Sequence, residues 1–439
     1  MRFRAGVFVP LLFFAFTALA VPLVQPASAA GATITVNTTA DDTNPADNKC
    51  SIREAMQAAD TNTSFNTCHA GSTGTDTIAF DPSINGQTIT LQPGGLEVDS
   101  NVIFKGNGRV KTLIAGDEFF TDNGTSTFEH MTLVDVNNEG TTGSSTAKVI
   151  DVKATSEMNN NSTSGETSIM HISNSTFPGV TNNSGTDNTA HSTLTITKST
   201  VTDLIDNNSG SGSVSHLTVT NSKTGEIDNN SGNADGSVTT ATIKNTTVTG
   251  DGSGFGVDVE STGTTALISG TTISKFDTGV MAGGKSTKIL NSTVTGSATS
   301  TVENESGTTT IVNSTLTNGF TGILRTAGSV KTTNTIIASQ TGKNCNGTVK
   351  SGGGNISDDG SCHFTKSHDH NSKNPKLGTL GNHGGPTQTQ MLLKGSPAID
   401  GGLNGPCPGT DQRGKKRPQD GDNNGTKICD VGAVEMPKP

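Results

Sequence analysis

Ile172-Ser-Asn-Ser-Thr-Phe177 is the first of eight related strings. The others are ITKSTV (196–201), VTNSKT (219–224), IKNTTV (243–248), ISGTTI (268–273), ILNSTV (289–294), IVNSTL (311–316) and TTNTII (332–337). Their third residues are Asn174, Lys198, Asn221, Asn245, Gly270, Asn291, Asn313 and Asn334, separated by 24, 23, 24, 25, 21, 22 and 21 positions. A second marker is an apolar residue at Val180, Ile205, Ile227, Val257, Val280, Val302 and Leu324. Its one long step holds GDGSGFG, read as a loop insertion. A disordered polar chain has no reason to keep such a period, whereas stacked repeats do.

Within each repeat, apolar residues alternate with Thr, Ser or Asn, as in TLTIT and ATIKN. That is strand periodicity, and no repeat holds an amphipathic helix. A rung of about 22 residues with short strands predicts a single-stranded parallel β-helix. Crossover chirality makes a right-handed coil the expectation. Composition agrees, with no Trp, no Tyr and 54 Gly, which excludes an ordinary packed helical globule. The strings TNNSG, DNNSG, DNNSG and ENESG follow the second marker. Asn and Gly there are expected to supply left-handed turn conformations, and stacked amides to bond along the coil. The rung pattern also accounts for the many N-x-S/T strings without glycosylation.

The ends differ from the middle. Arg2 and Arg4, an apolar run to Val24 and the small residues of QPASAAGAT read as a signal peptide over residues 1–30, cut after Ala29 or Ala30. No other stretch has the length of a spanning segment, so no transmembrane segment is expected in the mature chain. Without those thirty residues the formal charge moves from −10 to −12, which disfavours nucleic acid as a partner. The six cysteines fall into local couples, predicting Cys50–Cys68, Cys345–Cys362 and Cys407–Cys429 in an oxidising compartment. In CSIREAMQAAD (50–60), Ser51 and Glu54 have capping-box spacing, and Ile52, Ala55, Met56 and Ala59 share a helical face. A short helix capping the open end of the solenoid follows.

CSIREAMQAAD resembles the CSLREA domain of secreted bacterial β-helix proteins, with Ile52 in place of Leu. The run NPKLGTLGNHGGPTQTQMLLKGSPAIDGG (374–402) with TDQRGKKRPQDGDNNGTKICDVGAVE (410–435) is similar to the choice-of-anchor Q domain. The resemblance implies an exported bacterial right-handed β-helix and brings no catalytic residues. Such members often carry a C-terminal sorting signal, and this chain stops at EMPKP. The predicted organisation is a signal peptide at 1–30, a cap with first rungs at 31–100, repeats at 101–345 and a C-terminal cap at 346–439.

Four constellations carry candidate chemistry. Asp420, Asp422 and Asn424 in DGDNNG have the order of a calcium loop, though Val431 stands where its last acid belongs. Asp206, Asp228, Asp258 and Glu303 each follow the second marker, and so form one outward column interrupted by Met281 and ended by Arg325. Cys362, His363, His368 and His370 hold His-x-His spacing that suits zinc or copper, unless Cys362 is in a disulfide. Asp400, Asp411, Arg413, Asp430 and Glu435 read as ion pairs tying down the last segment. The favoured reading is an exported, non-catalytic, monomeric scaffold that binds an extracellular ligand or surface and needs no cofactor beyond structural calcium. The alternative is a polysaccharide lyase or glycoside hydrolase using Asp206, Asp228 and Asp258, by fold analogy.

Overall fold

A computed structural model describes residues 30–140, 143–163, 165–185, 189–231 and 236–439. The signal-peptide reading lies outside them. The chain is a parallel β-solenoid of about 12 turns, each of about 23 residues. Three parallel sheets of 14, 12 and 13 strands form its sides. One rung shows the plan: His191–Thr197 on a long face, Thr200–Val201 on a short face and Ile205–Ser209 on a third face. The next rung repeats it with Val214–Thr220, Lys223–Thr224 and Ile227–Ser231, each paired in register with the strand before.

The N-S-T strings make the corner between the long and short faces. Their third residues all have positive φ, between 44° and 64°. Asn reaches this left-handed region at lower cost than most residues. Gly270 takes the position once, and a Cβ there would meet Asn245 Oδ1 at 2.5 Å. The following Ser or Thr turns inward. From Ser175 to Thr335 these hydroxyls donate to the carbonyl two residues back at 2.7–3.1 Å. Several also accept the backbone N–H of the rung below, as Ser199 does from Ser175. The tripeptide is thus a corner device. Asn291 and Asn313 are buried and donate to backbone carbonyls of Thr410 and Asp430, which closes both to glycosylation.

The interior is half apolar and half polar. Val149, Ile172, Ile196, Val219, Ile243, Ile268, Ile289 and Ile311 form one dry column. Each rung buries its face against its neighbours. Near the N-terminal end Phe104 and Phe128 stack with centroids 5.1 Å apart. Opposite the apolar column stands an amide ladder. Asn138, Asn160, Asn182, Asn207 and Asn229 are fully buried, the first four each donating from Nδ2 to the next Oδ1 at 2.6 Å and Asn229 donating to the Thr265 carbonyl. The turn role expected for TNNSG and DNNSG is therefore corrected. Asn182, Asn207 and Asn229 lie in strands and point inward, since alternation from the inward Val180, Ile205 and Ile227 puts them on the same side.

Helix α1 (Ile52–Thr61) covers the first rungs. Ser51 and Glu54 form its capping box, and Ile52, Ala55, Met56 and Ala59 are buried. Arg53 holds it through both oxygens of Asp41 and the carbonyl of Gly95. The disulfides are Cys50–Cys68, Cys345–Cys362 and Cys407–Cys429, as the spacing predicts. At the far end the coil runs through Ile356–Ser357. Residues beyond 375 then fold back along the corner of the last rungs. Gln412 reaches Thr272 and Thr293, Gln390 reaches Thr317, and Ala433 N–H donates to Thr315. No helix among the described residues is long and apolar enough to cross a membrane.

Candidate functional site

Charge divides between two faces. Third-face strands carry seven acids (Glu97, Glu139, Asp206, Asp228, Asp258, Glu260 and Glu303) and one base, Arg325. That guanidinium is turned to the carbonyl of Gly328. Long-face strands carry six exposed lysines (105, 148, 244, 288, 331 and 350) against two acids, Asp76 and Glu129. The division arises because each outward position recurs once per rung, so a residue type repeated in sequence becomes a stripe in space.

The third-face stripe brings Asp206, Asp228 and Asp258 onto consecutive rungs, directly opposite one another. Parallel neighbours lie about 4.8 Å apart. Met281 follows, then Glu303. The next position is Leu324, not Arg325. Val302 pairs with Ile323, so the second marker in that rung is Ile323, and Arg325 lies one residue along, opposite Asn304. TGILR offers two adjacent apolar residues, and alternation alone does not choose between them.

Burial dominates the electrostatics of this stripe. It pushes Asp258 up to about 8, with Glu260, Asp228 and Glu226 adding to the effect. Asp228 is raised to about 7 by burial and then by Asp206, Glu226 and Glu260. Asp206 is raised by burial and by Glu157. Asp135 reaches about 6 by burial, with Glu118 and Asp117 contributing. Asp135, Glu226 and Glu260 escaped the column search because it followed one marker. Glu260 shares the outward side two residues after Asp258, and Glu226 directly precedes Ile227. Alongside the stripe runs an open cleft of about 630 Å³, lined by Asn208, Asn230, Glu260, Ser261, Glu305 and Ser306 among others.

The remaining constellations fall elsewhere. Asp420, Asp422 and Asn424 form one turn: Asp420 accepts the N–H groups of Asn424 and Gly425, and Asn424 Nδ2 donates to Asp422. Asp400 joins them, its Oδ2 accepting the N–H of Asp422, and one ligand atom from each of Asp400, Asp420 and Asp422 lies within 4.8 Å of the others. This is the one such carboxylate, His or Cys trio among the described residues, and Lys438 Nζ stands 3.4 Å from Asp420. Asp400 was not legible as a partner because the loop signature is local. Cys362 is bonded to Cys345, and His363, His368 and His370 are exposed in a loop. That removes the thiolate from any zinc set.

The five charged residues of the terminal motif are engaged within it. Arg413 pairs with Asp411 through Nε and Nη2. Asp430 accepts the N–H groups of Asp400 and Met436, and Glu435 those of Asp430 and Gln419. Arg417, which the sequence reading left out of this set, is the buried centre. It contacts Glu435 at 3.0 Å with both side chains fully enclosed. No family model, curated protein or solved structure matches the chain.

Proposed function

We propose that this protein is an exported, non-catalytic β-helix scaffold whose acidic third face binds cationic groups at a cell surface or in extracellular matrix. The observation that carries the reading is the unbalanced third face. Asp206, Asp228 and Asp258 stand on three consecutive rungs, and the described third-face strands from Val180–Ser184 to Thr278–Ala282 hold no Lys, Arg or His, so a cationic partner would meet no competing base there. Export is supported by the three disulfides and by the resemblance of CSIREAMQAAD and of residues 374–435 to CSLREA and choice-of-anchor Q domains.

The same stripe argues against cleavage of acidic polysaccharide. A polyuronate would be repelled, and a lyase needs a base beside its substrate. Hydrolysis of a neutral glycan is the second reading. One observation favours it: Asp228 and Asp258 are neighbouring carboxyls pushed to about 7 and about 8. The absence of Trp and Tyr removes the rings on which sugar faces stack. A structural calcium at Asp400, Asp420 and Asp422 is part of the proposal and would fasten the terminal segment.

The test is turnover by the purified mature protein on neutral, acidic and amino polysaccharides, with and without calcium. New reducing ends and unsaturated uronate absorbance are followed together. The scaffold reading expects neither signal. Turnover lost in Asp228→Asn or Asp258→Asn would replace it with the hydrolase.

A further inference from the structure

Three neighbouring carboxylates on the third face each present an oxygen that the protein leaves without a hydrogen bond: Oδ1 of Asp206, of Asp228 and of Asp258. Asp258 is the most enclosed, only 7% exposed. Along the sheet, Asp258 pairs with Asp228 on one side and Met281 on the other. Native proteins seldom leave buried acceptors unmatched, and a bound cation is one standard way to satisfy them.

The surroundings narrow the choice of ion. The strands from Val180–Ser184 to Thr278–Ala282 on this face contain no Lys, Arg or His. Glu226 and Glu260 add two further carboxylates beside the pair. The donors are therefore hard oxygens, with no imidazole or thiolate. Calcium accepts irregular sets of carboxylates completed by water, whereas magnesium demands near-ideal octahedral geometry.

We infer that a hard divalent cation of the calcium class binds on the stripe between Asp228 and Asp258, each giving its free Oδ1. Asp206 extends the site by one rung, and Glu226 and Glu260 supply negative field and water-mediated contacts. Such an ion fastens consecutive rungs from outside, as the amide ladder does from within. The inference rests on the reading of the third face as a cation-binding surface and names the ion it takes.

The test is isothermal titration of calcium into chelator-stripped full-length mature protein carrying Asp422→Asn, which weakens the separate terminal cluster. The expected result is a binding heat that Asp258→Asn weakens about 100-fold or abolishes. Circular dichroism checks that each variant is folded. If Asp258→Asn does not fold, Asp228→Asn, at a less buried position, gives the deciding titration with the same expectation. No calcium heat, or heat unchanged by the substitution, overturns the site. Retention of the protein by a polycation with no calcium heat would sink this inference and leave the broader function standing.

Discussion

Asn207→Ala cuts the amide ladder at its fourth member. Asn182 Nδ2 loses its 2.6 Å acceptor but keeps the His216 carbonyl at 3.2 Å. Asn229 Oδ1 loses the 2.6 Å donor from Asn207, and the Thr240 carbonyl loses a bond of 3.2 Å. Each lost bond is worth about 0.5–1.5 kcal/mol net, and an acceptor orphaned in a dry interior costs about 1–3 kcal/mol. The expected loss is about 3–5 kcal/mol, since water has no path to Asn229, which is 0% exposed. The control is Asn208→Ala, one residue along and facing outward, which loses a single bond to Asp206 and costs less than about 1 kcal/mol. Urea unfolding is followed by far-ultraviolet circular dichroism, because the chain has no Trp or Tyr to report by fluorescence. In a solenoid the damage can be local, so amide exchange of the flanking rungs is read alongside. Equal costs for the two variants, or a loss below about 1 kcal/mol at Asn207, would refute the inward ladder.

Further outcomes follow from other sites. In chelator, stability should fall as pH rises from about 4 toward about 8. Folded Asp135, Asp228, Asp258 and Asp430 keep protons, near 6, 7, 8 and 8, that the unfolded chain releases near 3.8. Burial is the first cause in all four, so their stabilisation is present at low pH and lost through that window. Each group adds at most about 1.4 kcal/mol per pH unit, less where solvent screens it, and Asp258→Asn should make the denaturation profile shallower. A profile rising through that window contradicts it. Arg417→Met strands the enclosed Glu435 carboxylate and should cost about 3–5 kcal/mol. Faster exchange in residues 410–435 than in the mid-coil rungs is the measurement, and unchanged exchange counts against the buried pair. Gly270→Val forces a β-branched residue to φ +64 against Asn245 and should cost about 2 kcal/mol by thermal melting. An unaltered melting temperature would show that the corner tolerates it.

The period of Asn174 to Asn334 made the coil legible, because a left-handed corner recurs in every rung and Asn stands at six of those eight positions, with Lys198 and Gly270 at the other two. The cap helix and the cysteine pairs were legible because their signals are local. The stacked amides expected along the coil are the ladder through Asn182, Asn207 and Asn229, but the turn role read from the same strings was wrong for these residues, since Asn suits both a turn and a hydrogen-bonded ladder and composition does not separate them. Asp206, Asp228 and Asp258 were found because they follow a marker repeated once per rung. The contact of Asp400 with Asp422 was hidden by their separation of 22 positions. The docking of Gln412 on Thr293 spans 119 residues and depends on the last segment folding back, which no periodicity announces.

The most direct test of the third face as working surface is co-sedimentation with an insoluble polycation. Partly deacetylated chitin and polylysine beads serve as probes, with neutral cellulose as control and reducing ends assayed in the same tubes. The protein is compared with a variant carrying Asp206→Asn, Asp228→Asn and Asp258→Asn. The account predicts salt-sensitive retention on both cationic solids, little on cellulose, loss of retention in the variant, and no new reducing ends. Retention that survives the three substitutions, or release of sugar by the unaltered protein, would contradict it.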